Sequence, residues 1–240
     1  MPWHTKATGG YARTSQDAYD NAKMIYDILA YCGWHLPAVC ACLGNCEVES
    51  GYNPWRWQSD SVLPVGDPRI YYQNSHAYGL YQQDPASKYI DSVYAQGVVG
   101  YGPNYSDQAG NTYDGSAQTF YLNHVCSDPD SGEWGDYWGS PYYLPFSDFI
   151  VDEQHSIDFL TETFRVGYER GEASPIRAQA ANYWWGVFQG TPPEPPPDPP
   201  EPPGPQPPVK TYPYWLLWQI AISKRDRKYV LPKSEVKYCK

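Results

Sequence analysis

Two carboxylates stand two positions apart in Gly44-Asn45-Cys46-Glu47-Val48-Glu49-Ser50-Gly51-Tyr52-Asn53-Pro54. A carboxylic acid that keeps its proton near neutral pH can protonate the oxygen of a leaving alcohol, which is what opening a glycosidic bond requires. Proteins hold such a proton by desolvation or by an unfavourable dipole. Residues two apart on a helix differ by about 200° in direction, so Glu47 and Glu49 cannot face one cleft together. Apolar stripes do not separate them: Val39, Cys42 and Cys46 lead onto Glu49, and Cys40 and Leu43 lead onto Glu47. Position favours Glu49, in the last helical turn, where the partial negative end of a helix disfavours a carboxylate. Tyr52, Trp55 and Trp57 follow at once and are expected to supply apolar walls. A glutamate at a helix end is otherwise usually a solvated surface charge, so the neighbours carry the case.

The element that positions this pair reads as a helix with Pro37 in its first turn, running from Ala38 to about Ser50 and stopped by Gly51 and Asn53-Pro54. Before it, Ser15 caps a helix with the stripe Ala18, Ala22, Ile25, Leu29 and Cys32, ending at Gly33. Two more helices are expected over Asp152–Tyr168 and from Ser174-Pro175 to Phe188. Between them, Trp55 to about Tyr143 is rich in Gly, Asn, Asp, Ser, Pro and Tyr and reads as loops, turns and short hairpins. Helices at both ends of an irregular aromatic middle imply an α+β fold, mainly helical, with a cleft between lobes. The expected organisation is an arm over 1–14 and a catalytic domain over 15–190, then a proline-rich linker over 191–208 and a basic, aromatic segment over 209–240. The linker TPPEPPPDPPEPPGPQPP lacks backbone donors and suits polyproline II, on the order of 50 Å if fully extended at ~3.1 Å per residue.

Composition narrows the function. The net charge is −10, which argues against a nucleic-acid partner, since phosphate backbones need Lys and Arg. The basic residues collect after the linker, where eight Lys and Arg oppose only Asp226 and Glu235. Aromatic residues make up 17% of the chain, with 24 Tyr and 10 Trp but 6 Phe, a skew toward rings with a polar handle that suits sugar-binding clefts as well as cores. Cys32, Cys40, Cys42, Cys46, Cys126 and Cys239 show no C-x-x-C spacing and read as small buried apolar thiols. No metal or other cofactor is expected. The start Met-Pro-Trp-His-Thr-Lys lacks the apolar region of a signal peptide, and no stretch reaches the ~20 apolar residues of a membrane span.

Glu49-Ser50-x-x-Asn53-Pro54, followed by Ala77-Tyr78-Gly79-Leu80-Tyr81-Gln82, resembles the lysozyme-like superfamily of lytic transglycosylases and goose-type lysozymes. More closely, the chain is similar to the phage tail lysozymes, the muramidase domains of tail-tip and tail-knob proteins. The matching pieces include Gly33-Trp34, Leu43-Gly44-Asn45, Trp55-Arg56-Trp57-Gln58 and Pro85-Ala86-Ser87-Lys88-Tyr89. Phe164-x-x-x-Tyr168-Glu169-Arg170 and Arg177 with Tyr183-Trp184 match as well, so the likeness covers roughly residues 10–188. It places the catalytic glutamate on Glu49. Two departures stand out: Gly171 replaces a usual proline and Asp84 a usual threonine.

The resemblance implies a peptidoglycan glycosidase carried in a phage tail, with bacterial peptidoglycan and virion proteins as partners. An inverting enzyme needs a base ~6.5–9.5 Å from the acid, and a retaining one a nucleophile at ~5–5.5 Å. Asp60 and Asp67 are the candidates, Asp60 preferred because Trp57-Gln58-Ser59-Asp60 belongs to the matching stretch. Transglycosylases need no second carboxylate, because the substrate's own hydroxyl attacks. Tyr78, Gln82, Tyr89 and Trp57 are expected sugar contacts, and Glu169-Arg170 reads as a structural ion pair. A zinc hydrolase is disfavoured because the five histidines are scattered and no H-E-x-x-H occurs. A peptidase built on Cys46 and His124 would need an activated thiol inside an apolar helix. The rival of another class is a non-enzymatic tail component that grips glycan.

Overall fold

The computed structural model describes residues 3–6, 8–58, 76–95, 114–136, 138–171 and 174–190. Ser15 accepts a hydrogen bond from the Ala18 amide at 3.2 Å and opens α1, Gln16–Tyr31. Such a cap is worth about 1 kcal/mol. Ala18, Ala22, Ile25 and Leu29 are fully buried, as the stripe requires. Helix α2, Leu36–Ser50, carries Pro37 in its first turn and is capped by Gly51 at φ 56°. Its residues from Pro37 to Cys46 are all buried. A helix buried on every side is a core element, and α2 packs against α7 (Pro175–Phe188), α6 (Ile157–Phe164) and α1. Gly44 makes the α2–α7 approach possible, because a Cβ there would run into the Arg177 carbonyl and the Ala181 methyl.

The described residues are mainly helical. Their bridges outside helices are two isolated antiparallel ones, Trp57 with Tyr78 and Tyr78 with Gln83. The α+β expectation is thus met only on its helical side, and much of the expected hairpin region (59–75 and 96–113) lies outside the described residues. Inside that region the structure also corrects the reading. Asp114–Ser127 is a helix, α4, not a loop. Its pattern is hidden because polar side chains fill its buried face and find partners there. Ser116 accepts from Trp3 Nε1 at 2.9 Å, the Thr119 hydroxyl pairs with that of Tyr81 at 2.9 Å, and Gln118 bonds the 79–82 turn. Two single-turn helices, α3 (Ser87–Ile90) and α5 (Phe146–Phe149), complete the α-helices of the described residues.

Helix α6 begins five residues later than expected. Ser156 caps it through the Phe159 amide, and Asp152 instead ties a preceding turn by accepting from the Gln154 and His155 amides. The helix widens into a π turn, Arg165–Glu169, which ends at Arg170 in the left-handed region, φ 56°. Such widened turns concentrate at functional sites. Here the turn delivers Glu169 to the side of α7. The α7 bounds agree with the Ser-Pro reading. Residues 3–6 and 8–11 of the expected arm lie on the domain: Trp3 is buried, and the Tyr11 amide donates to the Gly51 carbonyl at 2.8 Å. Cys40, Cys42, Cys46 and Cys126 are buried free thiols and Cys32 is partly buried, in line with the apolar reading. No helix among the described residues is long and apolar enough to cross a membrane. The linker and the segment beyond it lie outside the described residues.

Candidate active site

The two carboxylates of α2 meet opposite environments. Glu47 is held by Arg13, with Nε–Oε2 2.6 Å and Nη2–Oε1 2.5 Å, and accepts from the Tyr52 hydroxyl at 2.7 Å. Tyr52 in turn accepts from Trp184 Nε1 at 2.6 Å. This charge is fully committed to structure. Glu49 opens into a cleft of about 350 Å³. Its side chain keeps 26% of its exposure, enough for a substrate to reach it, while Oε1 takes a hydrogen bond from Arg177 Nη2.

Arg177 is the hub of the cleft floor. It comes from the first turn of α7 and its side chain is 6% exposed. Besides Glu49, its Nη1 reaches Asn45 Oδ1 at 3.1 Å and Glu169 at 2.9 Å. Asn45 is fixed by donating to the Ala41 and Thr161 carbonyls at 2.9 and 3.2 Å, so the guanidinium is anchored on both α2 and α6. Glu169 also takes Arg165 Nη1 at 2.8 Å. Burial, and next the neighbouring Glu49 charge, push the Glu169 carboxyl above its ordinary range, against the pull of Arg177 and Arg165. Lys88 and Glu133 pair at 2.8 Å on the rim. Asp84, the residue that departs from the usual threonine, also lines the cleft and adds an acidic group to its edge.

Several expectations need correction. The walls beside Glu49 are charged, not apolar: Tyr52, Trp55 and Trp57 are turned into the core. Trp57 packs on Tyr78 with ring centroids 4.6 Å apart. Tyr78 and Tyr89 are buried, and both hydroxyls donate to Asp114 at 2.5 Å. Rings and hydroxyls spent in this way are not on the cleft surface, so the structure assigns Trp57, Tyr78 and Tyr89 to the core. Gln82 does line the cleft, at φ 45°, with its amide donating to the Arg56 and Gly79 carbonyls at 3.0 Å each. Asp60 and Asp67 lie outside the described residues. Glu169 does not pair with Arg170 as expected; it pairs with Arg165 and Arg177, and Arg170 Nη2 donates to the Gly132 carbonyl at 2.9 Å. Cys46 is fully buried, and burial pushes its thiol up to about 12, which removes the thiol nucleophile.

Arg177 and Glu169 are cleft residues to which pattern reading gives no part in the chemistry. Both stand in segments that match the family, and that is their only signal in the chain. Nothing local shows that a side chain 128 positions away lies against Glu49. A larger groove, about 780 Å³, runs between α6 and α7. Its carboxylates do structural work, Glu162 accepting from the Ser174 amide and Asp158 from Asn182.

A helical domain with a reachable carboxylate at the end of a buried helix, set in a polar cleft over a second buried carboxylate, has the groups that acid–base chemistry needs. The family follows from the chain itself. Residues 20–188 match the phage tail lysozyme family model, and the chain belongs to that family. It is also similar to Morphogenesis protein 1 of Bacillus phage B103, 28% identical over 172 residues, or 71% of this chain. The match spans 40% of that relative's length.

Proposed function

We propose that the chain is a virion-associated peptidoglycan glycosidase that cuts the β-1,4 bond between N-acetylmuramic acid and N-acetylglucosamine, opening the wall locally during phage entry. The observation that carries the reading is Glu49: of the two carboxylates on α2, it alone lines the cleft, in a chain of the phage tail lysozyme family. Glu49 donates a proton to the glycosidic oxygen as the bond to the anomeric carbon breaks. Positive charge develops on the sugar ring and is met by a carboxylate, for which Asp60 is the proposed residue. Water then completes hydrolysis, with the second carboxylate as base or as nucleophile according to its distance. Gln82 at the cleft wall offers a polar contact to the sugar. The proline-rich linker and the segment 209–240 are proposed to tether this domain to another virion protein.

Zymography on purified peptidoglycan tests the assignment. Glu49→Gln should lose clearing by about 10²–10⁴-fold, the usual contribution of a general acid, whereas Glu47→Gln should keep it. Equal clearing by wild type and Glu49→Gln removes Glu49 from the mechanism. No clearing by wild type favours a glycan-gripping structural role. Mass spectrometry of the products separates the two chemistries: a reducing N-acetylmuramic acid end means hydrolysis, and a 1,6-anhydro end means transglycosylation.

A further inference from the structure

Glu49 does not hold Arg177 alone. The same guanidinium, itself almost wholly buried, spans from Glu49 on α2 to Glu169 on the π turn. Glu169 is also bound by Arg165. Two carboxylates thus compete for one cation at the floor of the cleft, one reachable by substrate and one sealed beneath it. Resting on the reading of Glu49 as the acid, we infer that Glu169 is a positioning residue for it. Glu169 anchors Arg177 and sets, by its own charge and its claim on that guanidinium, how readily Glu49 keeps a proton for the glycosidic oxygen.

The electrostatic reasoning is direct. An arginine beside a carboxylate favours the ionised form, and that alone would disarm an acid. A second buried carboxylate on the same arginine opposes it: while ionised it repels the Glu49 charge, and it holds the guanidinium toward itself. Close carboxylates with this coupling lose their protons in two steps that belong to the pair. The other charges facing the pair are Arg165 and Arg170 from the π turn and its end, Lys88 from α3, and Glu133 and Asp84 from the connecting segments. Lys88 and Glu133 neutralise each other on the rim, and Arg165 is directed at Glu169. Beneath lie the thiols of Cys42 and Cys46 and the Tyr168 phenol, which burial keeps neutral. Glu169 is thus the buried carboxylate that shares a cation with Glu49.

The test titrates the carboxyl groups by 13C NMR in the full chain without substrate, and in parallel records the pH profile of wall clearing. In Glu169→Gln, Arg177 and Arg165 face Glu49 without a competitor. The Glu49 titration and the alkaline limb of clearing should both move acidward by roughly one pH unit. Glu169→Asp, which keeps the charge, should restore most of the wild-type titration. Arg165→Gln frees Glu169 to take a larger share of Arg177 and should move the Glu49 titration the other way, a reading that stands even if Glu169→Gln fails to fold. A Glu49 titration that stays put in these variants overturns the inference. If Glu49→Gln still clears walls, the assignment of the acid falls instead, while the NMR titration continues to judge the coupling.

Discussion

Asp114 sits at the N-terminus of α4 with no exposure to speak of, and its substitution by asparagine is a quantitative test of how this fold holds buried charge. Its oxygens accept from Tyr78 at 2.5 Å, Tyr89 at 2.5 Å and Gln118 Nε2 at 2.9 Å. Burial pushes the carboxyl up from 3.8 to about 6, and the three donors pull it back only in part. Because the folded value lies above the unfolded one, the native state binds a proton more tightly between those limits. Stability from this group is therefore greatest at low pH and is lost as pH rises through the window. The gap corresponds to about 3 kcal/mol in all, of which about 2 kcal/mol falls between about pH 4.5 and pH 7. Urea unfolding of wild type and Asp114→Asn across that range reads the effect as the change in their stability difference. Glu169, also raised, bends both curves alike and cancels. Wild type should lose about 2 kcal/mol relative to the asparagine variant as pH rises. A difference flat with pH would refute the assignment of a proton to Asp114.

Two further outcomes follow from the same geometry. Gly79→Ala should destabilise the domain by about 2–4 kcal/mol in the same unfolding assay, since φ is +86° there and a Cβ would run into the Gln118 amide oxygen; a loss within ~0.5 kcal/mol would contradict it. A chain truncated after Gly190 should still clear purified walls but fall in copy number in assembled particles, and normal incorporation would sink the tether proposal.

Near-neighbour chemistry was legible in the chain. The Ser15 cap, the Pro37 start, the Gly51 stop and the Ser174-Pro175 entry define α1, α2 and α7 because caps and breakers act within a few residues. The position of Glu49 at a helix end was legible for the same reason. Helix α4 was not, because its buried face carries Asp114, Ser116, Gln118 and Thr119, whose partners come from Trp3, Tyr78, Leu80 and Tyr81. A polar residue satisfied by a distant partner leaves no apolar period to read.

By itself, the sequence determined which helix bears the candidate acid, where that helix ends and which family the chain joins. Helix-end position and the family likeness already favoured Glu49 over Glu47; the tertiary structure adds the partner that each carboxylate meets. Because α2 is buried all round from Pro37 to Cys46, no stripe could separate them; Arg13 claims one and Arg177 the other. It also moved Trp57, Tyr78 and Tyr89 from the expected sugar surface into the core and brought Glu169 under the cleft. Periodicity and caps are local, whereas a charge cluster joining α2, the π turn and α7 exists only once those elements pack.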